Sequence, residues 1–303
     1  MSAMVKFEDI VIKQNEPMSR HTSWRTGGMA RRYVEAASLE ALASFIATLP
    51  DDEELLWMGL GSNTLIRDAG FGGTVIATQG VMSQLAMLDE STVHAGAGVA
   101  SAKLARFCDR NGLQGAEFFA GIPGLVGGAL AMNAGAFGGE TWPLVIEVET
   151  LNRKGEIRSR RASEYKYGYR HVDGPGDEWF VSATFGLKKK DEVQEPEAGS
   201  KTIDIRRLLA KRSASQPTGV ASCGSVFRNP KGDHAARLIE SCSLKGRRIG
   251  GAVVSEKHAN FIINEDRASA SDIESLIELV QQTVEDRHGI RLQPEVKIIG
   301  EKA

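Results

Sequence analysis

Ala120-Gly-Ile-Pro-Gly-Leu-Val-Gly-Gly-Ala-Leu-Ala-Met-Asn-Ala-Gly-Ala-Phe-Gly-Gly-Glu140 sets seven glycines (121, 124, 127, 128, 135, 138 and 139) in an apolar segment almost without charge. A flexible linker is polar. This run instead carries Ile122, Leu125, Val126, Leu130, Met132 and Phe137, so it is expected to be buried, with its backbone close against a neighbour. Glycine permits that approach and tolerates positive φ without a Cβ penalty. Two readings fit: tight packing between elements, or close approach of the main chain to a ligand. A second glycine turn, Gly59-Leu-Gly-Ser-Asn63, lies about sixty residues upstream and favours the ligand.

The chain has 303 residues, enough for two or three domains with cores of their own. Hydrophobic residues make up 42% and charged residues 25%, as in ordinary soluble proteins. A net charge of -2 lacks the basic excess of a nucleic-acid binder, while leaving small anionic ligands open. The N-terminus shows no signal-peptide pattern and no long apolar run follows, so the expected location is the cytoplasm, with no membrane partner. Cys108, Cys223 and Cys242 are widely spaced and are expected as reduced thiols. No metal site is expected: the six histidines include no H-E-x-x-H.

Around the glycine run the chain reads as mixed helix and strand. Ser38 is expected to cap a helix carrying Leu39, Leu42, Ile46 and Leu49. Leu55–Met58 reads as a buried strand entering the 59–63 turn and leaving through Thr64–Ile66. Strands are expected at 74–77, 92–95 and 179–187, with a hairpin over 145–159 turning at Asn152–Gly155. Ser101 is expected to cap a helix closed by Asn111-Gly112. The charged stretch 188–200 marks a boundary, and a basic helix is expected over 203–212. In the last hundred residues, Ser271-Asp-Ile-Glu274 reads as a capping box. It opens a helix with Ile273, Leu276, Ile277, Val280 and Val284 on one stripe. A final strand is expected over 290–299, irregular at Pro294.

Neither GLGSNT nor GAGVAS completes G-x-G-x-x-G, and no Gly-Lys dipeptide occurs, so Rossmann and P-loop fingerprints are absent. Tight turns with convergent N–H groups bind pyrophosphate without either, and Ser62 and Asn63 add donors. No serine sits in G-x-S-x-G, against an α/β-hydrolase. Arg170 lies in Tyr165-Lys-Tyr-Gly-Tyr-Arg170, which holds three of the four tyrosines. Its guanidinium suits a carboxylate clamp or a stacked surface position. Ser225 lies in Ser222-Cys-Gly-Ser-Val-Phe-Arg-Asn-Pro230, where a turn serine is the common case. Glu295, in Leu292-Gln-Pro-Glu-Val-Lys297, reads as a strand carboxylate between apolar neighbours.

Seven motifs in order, HTSWRTGG, GLGSN, AGIPGLVGGALAMNAGAFGGE, YGYR, CGSVFRNP, GRRIGGAVVSEKHANFIIN and QPEVKIIG, closely resemble the UDP-N-acetylenolpyruvoylglucosamine reductase (MurB) family of bacterial peptidoglycan synthesis, in its shorter subtype. The resemblance runs from about His21 to Gly300. It implies an α+β chain: a PCMH-type FAD-binding fold of two subdomains (1–78 and 79–190) and a C-terminal α/β substrate-binding domain (201–303). It implies non-covalent FAD reduced by NADPH, and UDP-N-acetylglucosamine enolpyruvate as the substrate reduced to UDP-N-acetylmuramate. FAD would be held by Gly59, Leu60, Gly61, Ser62 and Asn63, and by Gly121, Ile122, Gly124, Gly128, Asn133, Ala134 and Gly135. Matching motif to motif, Ser225 would protonate C2 of the substrate, while Arg170 and Glu295 would stabilise charge developing on its carboxyl group. Glu295 can do so only as a protonated donor or through water, so its pKa is expected to be raised. Asn229, with Tyr169, Arg228, Lys257 and His258, would hold the UDP-sugar. His171-Val-Asp173 departs from the family, which often carries a serine two residues after the arginine; backup hydrogen bonding to Arg170 is therefore open. A monomer is expected. The alternatives are a PCMH-type oxidase of another small molecule, which often tethers its flavin, or a nucleotide-sugar binder without turnover, which would not need Arg170, Ser225 and Glu295 together.

Overall fold

The computed structural model describes residues 9–190 and 204–302, so Ile203 and most of the charged stretch before it fall outside the described residues. The described chain forms two compact units. One takes 9–12, 34–59, 75–190 and 204–212; the other takes 13–33, 60–74 and 213–302. The chain thus passes between them after residues 12, 33, 59, 74 and 212.

The first unit is built on a five-stranded antiparallel sheet in the order Ile157–Arg161, Val145–Asn152, Glu178–Gly186, Thr92–Gly96, Leu85–Met87. The expected hairpin is its edge, with Leu151 opposite Ile157. Asn152 makes the turn: its Oδ1 accepts from the N–H groups of Lys154 and Glu156 (2.9 and 3.0 Å), an Asx arrangement. One apolar cluster joins Val93, Ala95, Val148, Ala183 and Phe185 of this sheet to Leu104, Ala105 and Cys108 of helix Ser101–Arg110 and to Val126, Ala129 and Leu130 of helix Val126–Met132. A second cluster gathers Leu42, Phe45 and Ile46 of helix Leu39–Ile46 against Val34, Ile76, Ala97, Leu151 and Val181. Ser38 caps that helix as expected, its Oγ accepting from Ala41 N at 3.1 Å. Ser101 does not cap: Ala100 takes the N-cap position, and Ser101 is the first helical residue with its hydroxyl buried.

The second unit is organised by helix Ala270–His288, whose expected stripe (Ile273, Leu276, Ile277, Val280 and Val284) is buried. It meets Ala235, Leu238 and Ile239 of helix Ala235–Ser241, the three-stranded sheet Arg248–Ile249, Ala252–Val254 and Ile262–Asn264, and Trp24, Leu65 and Phe227. Trp24 has no solvent exposure, and its Nε1 donates to Ile262 O at 2.8 Å. Thr26 Oγ1 donates to Ala268 O at 2.7 Å. The polar HTSWRTGG segment is therefore structural at its centre. The capping box begins two residues earlier than expected, at Ser269: its Oγ accepts from Asp272 N (2.9 Å) while Asp272 Oδ2 accepts from Ser269 N (2.9 Å). The helix closes at Gly289, φ +66°, in a left-handed C-cap. The last strand is shorter than its alternation suggests, because Pro294 lacks the N–H a ladder needs. Only Lys297–Ile299 is strand, parallel to Thr64–Ile66. Expected helix 203–212 is described as Ile205–Ser215.

Arg67, just past strand Thr64–Ile66, donates through Nε and Nη2 to both oxygens of Glu274 on the long helix, each at 2.9 Å. That bidentate bond, above all else, holds the Glu274 carboxyl below the usual carboxylate range. A carboxyl with a depressed folded pKa stabilises the fold above its unfolded pKa, and the contribution is lost as pH falls through the folded value. Denaturant unfolding of Glu274→Gln against the native chain should show a stability gap that is constant at neutral pH and closes in acid. A gap independent of pH would assign the effect to packing instead.

Candidate active site

The glycine run folds into a 3₁₀ turn at Glu117–Gly121, helix Val126–Met132, and a small ribbon pairing Gly135–Ala136 with Gly139–Glu140. Its glycines divide by what a Cβ would meet. At Gly121 it would lie 2.5 Å from the Phe137 ring, at Gly135 2.4 Å from Gly139 O, and at Gly139 2.4 Å from Phe118. These three are needed for packing. Gly128 differs: it is exposed and a Cβ there would meet nothing within 4 Å, so its backbone is open to a ligand. The packing reading therefore holds at those three positions, while Gly128 leaves room for the other.

Helix Val126–Met132 ends at Asn133, which is left-handed at φ 43°, ψ 52° and without solvent exposure. An asparagine is among the few residues besides glycine that adopt this conformation readily. Its side chain is engaged inside the protein. Nδ2 donates to Glu140 Oε2 (3.0 Å) and to Gly168 O (3.1 Å), and Oδ1 accepts from Trp142 N (3.0 Å). Any cofactor contact at Asn133 then falls to its main chain.

Gly168 belongs to the YGYR segment, a hairpin pairing Lys166–Gly168 with His171–Asp173 through the two-residue turn Tyr169-Arg170. Trp142, fully buried, stacks on Tyr167 at 5.8 Å and lies against Tyr165 at 4.6 Å, seating the hairpin. Arg170 is left-handed at φ 55°, a conformation that costs a non-glycine residue roughly 1–2 kcal/mol. Its Nη2 donates to Gly135 O at 2.9 Å, its Nη1 lies 3.5 Å from Asn133 O, and the guanidinium sits over the exposed Tyr169 ring at 5.2 Å. The structure thus brings Arg170 and Tyr169 together with Asn133 and Gly135 of the run. The backup left open by His171-Val-Asp173 comes from these carbonyls.

Ser225, Glu295 and Asn63 lie in the other unit and are tied main chain to main chain. Phe227 bridges Pro294, Glu295 N donates to Val226 O at 2.7 Å, and Arg228 N donates to Gln293 O at 2.9 Å. Asn63 Nδ2 donates to Glu295 O at 3.1 Å, and Asn63 O accepts from Lys297 N at 2.9 Å. Asn260, which sequence reading passed over, locks the serine segment from its far side: its Oδ1 accepts from Phe227 N (3.0 Å) and its Nδ2 donates to Phe227 O (2.8 Å). Ser225 follows Gly224 at φ +73° and is half-buried, as is Glu295. Glu295 precedes the last strand rather than lying within it.

In the 59–63 turn, Gly61 is left-handed and a Cβ would meet His21 O at 2.3 Å; its own carbonyl accepts from Ser23 N at 3.1 Å. The turn is pinned by the HTSW segment. Cys223 fills space beneath it, 3.4 Å from Gly61 O, and burial pushes its thiol up to about 12, as it does for Cys108. Neither is a thiolate at neutral pH.

Among the proposed substrate residues, Arg228 Nε is buried without a hydrogen-bond partner, a donor suited to an incoming anion. Asn229 Oδ1 accepts from Ala235 N at 3.0 Å and so caps helix Ala235–Ser241. Lys257 is exposed beside it in sequence to His258. Burial, more than anything else, holds the His258 imidazole below its ordinary pKa, and its Nδ1 accepts from Asn260 N at 3.3 Å. His258 therefore offers a neutral Nε2–H rather than a positive charge. Among the described residues no cluster of His, Cys, Asp or Glu is arranged to hold a metal, and no helix is long and apolar enough to cross a membrane.

Residues 30–160 match the model of an FAD binding domain, and residues 216–299 match that of the UDP-N-acetylenolpyruvoylglucosamine reductase C-terminal domain. The chain is 55% identical to the UDP-N-acetylenolpyruvoylglucosamine reductase of Legionella pneumophila strain Corby, across 95% of this chain and 92% of that one. It is 54% identical to that of Alkalilimnicola ehrlichii across 99% of both. The crystal structure of the Thermus caldophilus reductase superposes with a TM-score of 0.76 at 29% identity, covering 95% of this chain and 98% of that one. These likenesses support an α+β chain with an FAD-binding part followed by a C-terminal domain. The glycines give a direct test of the two kinds of backbone position. Gly139→Ala should lower stability by more than about 1 kcal/mol in denaturant titration, through overpacking on Phe118. Gly128→Ala should fold normally but bind FAD more weakly, read from flavin absorbance after gel filtration.

Proposed function

The chain belongs to the UDP-N-acetylenolpyruvoylglucosamine reductase family, and on that footing we propose how its residues divide the reaction. The protein is a flavin-dependent oxidoreductase that uses FAD, with NADPH as reductant, to convert UDP-N-acetylglucosamine enolpyruvate to UDP-N-acetylmuramate in peptidoglycan synthesis. It thereby serves cell-wall biogenesis, cell shape and division. When bound, FAD supplies the two-electron relay between NADPH and the enolpyruvyl double bond.

The exposed backbone at Gly128, with the other glycines of the run and the Gly59–Asn63 turn, fits a cofactor held non-covalently by main-chain groups. FAD binding is assigned to 1–78 and 79–190, and substrate binding to 201–303. Arg170 holds the substrate carboxyl group. Its guanidinium is oriented before substrate arrives, so little reorganisation is needed as negative charge grows there. Ser225 holds the proton that ends on C2, the carbon next to the one that receives the hydride equivalent. A serine hydroxyl is a weak acid, and its transfer runs downhill only because a C2 carbanion is a far stronger base than an alkoxide. Glu295 is assigned to stabilise charge on the substrate carboxyl group as a protonated donor. Arg228, Asn229, Tyr169, Lys257 and a neutral His258 hold the UDP-sugar. The protein works in the cytoplasm as a monomer, with no nucleic-acid or membrane partner. The observation that carries this reading is the main-chain pairing of the Ser225-Val226 segment with Glu295, which fixes the proposed donor and the proposed carboxyl in one register.

The assignment is tested in two half-reactions under anaerobic conditions. Ser225→Ala should take up electrons from NADPH at nearly the native rate. Its flavin should then reoxidise with UDP-N-acetylglucosamine enolpyruvate about 100-fold or more slowly. Equal slowing of both halves removes the serine's role. With Glu295 acting as an acid, the native oxidative half-reaction should fall as rising pH ionises that carboxyl group. Glu295→Gln should lose this limb of the profile; a limb that persists in the variant belongs to another group.

A further inference from the structure

We propose that Asn133 is a positioning residue for Arg170, an inference that rests on the reading of Arg170 as the carboxyl-binding cation. Two independent links join them. The first passes through the main chain: the left-handed turn at Asn133 directs the carbonyls of Asn133 and Gly135 at the guanidinium, 3.5 and 2.9 Å away. The second passes through the side chain, whose Nδ2 donates to Gly168 O, two residues before Arg170, at 3.1 Å.

The same amide is fixed from behind by Glu140 Oε2 at 3.0 Å and by Trp142 N at 3.0 Å. Asn133 thus grips the hairpin at the strand end next to its turn, while its backbone supports the guanidinium that the turn carries. A hairpin carrying its functional residue in an unfavourable left-handed conformation needs such support, because its own two short strands, three residues each, do not fix it. Loss of the grip would let the guanidinium wander. A misplacement of about 1 Å is enough to cost roughly 100-fold in rate.

Asn133→Gly keeps a residue at ease with the observed φ while removing the amide. Asn133→Asp paired with Glu140→Gln, which swaps donor and acceptor between those two side chains, keeps the acceptor for Trp142 N but has no donor for Gly168 O, and it covers the case in which the glycine variant does not fold. Both variants are loaded with FAD before assay, and any slowing of their reduction by NADPH should be much smaller than the slowing of their reoxidation. Reoxidation by UDP-N-acetylglucosamine enolpyruvate should slow by about 10- to 100-fold. In a double-mutant cycle, Asn133→Gly combined with Arg170→Lys should be scarcely slower than Arg170→Lys alone, since the asparagine acts through the arginine. Three results overturn the inference while leaving the Arg170 reading intact: a normal oxidative half-reaction in an Asn133 variant alongside a slow Arg170→Lys, equal slowing of both half-reactions, or effects that multiply in the cycle. An unimpaired oxidative half-reaction in Arg170→Lys overturns the Arg170 reading itself, and the positioning role of Asn133 with it.

Discussion

One left-handed residue, Asn133, sets the geometry of the first unit's glycine run and of the hairpin packed against it. If the helix ending at Met132 continued by another turn, the glycine ribbon would not fold back on itself. Gly135 would not face Arg170, and Trp142 would not lie under the tyrosines of the hairpin. Asn133 closes the helix without a cap from elsewhere and satisfies the polar groups that its burial demands, which is why burying a side-chain amide costs little there. Glycines on either side allow the close approaches; the asparagine sets their direction.

The second unit reaches comparable definition by another route. Its proposed proton donor and carboxyl are placed by main-chain bonds between segments far apart in sequence, with Asn63 and Asn260 sealing the two flanks. Buried amides that both donate and accept can clamp a strand segment where no regular ladder runs. In both units, then, asparagine side chains fix the main chain around the proposed functional residues.

Local chemistry made much of this legible beforehand. Ser38 as a cap, the stripe on the last helix and the 145–159 hairpin all follow from short-range rules, and all are present. The errors also have local causes. Ser269 and Ser271 both precede an acidic residue by three, and the choice fell to Ser269 because Asp68 takes the N–H groups of Ala270 and Ser271. The alternation over 290–299 looked like one strand, yet Pro294 denies it a ladder. What pattern could not announce was long-range placement: that Trp24 belongs to a core made mostly of residues beyond 220, or that Asn133 would reach Gly168. The family resemblance supplied the chemical roles, which geometry alone does not name.

The five passages of the chain between units carry a lesson for how such a protein can be divided. The stretch 216–299 is recognisable by itself as a C-terminal domain, but it is not a self-sufficient one. Cut out alone, it would surrender the buried indole of Trp24, Leu65, the strand that pairs with Lys297–Ile299, and the arginine clasping Glu274. A unit of inheritance and a unit of folding need not share boundaries. Here the segments 13–33 and 60–74 fold with residues 213–302, so a fragment that keeps only the C-terminal stretch leaves part of its own core behind.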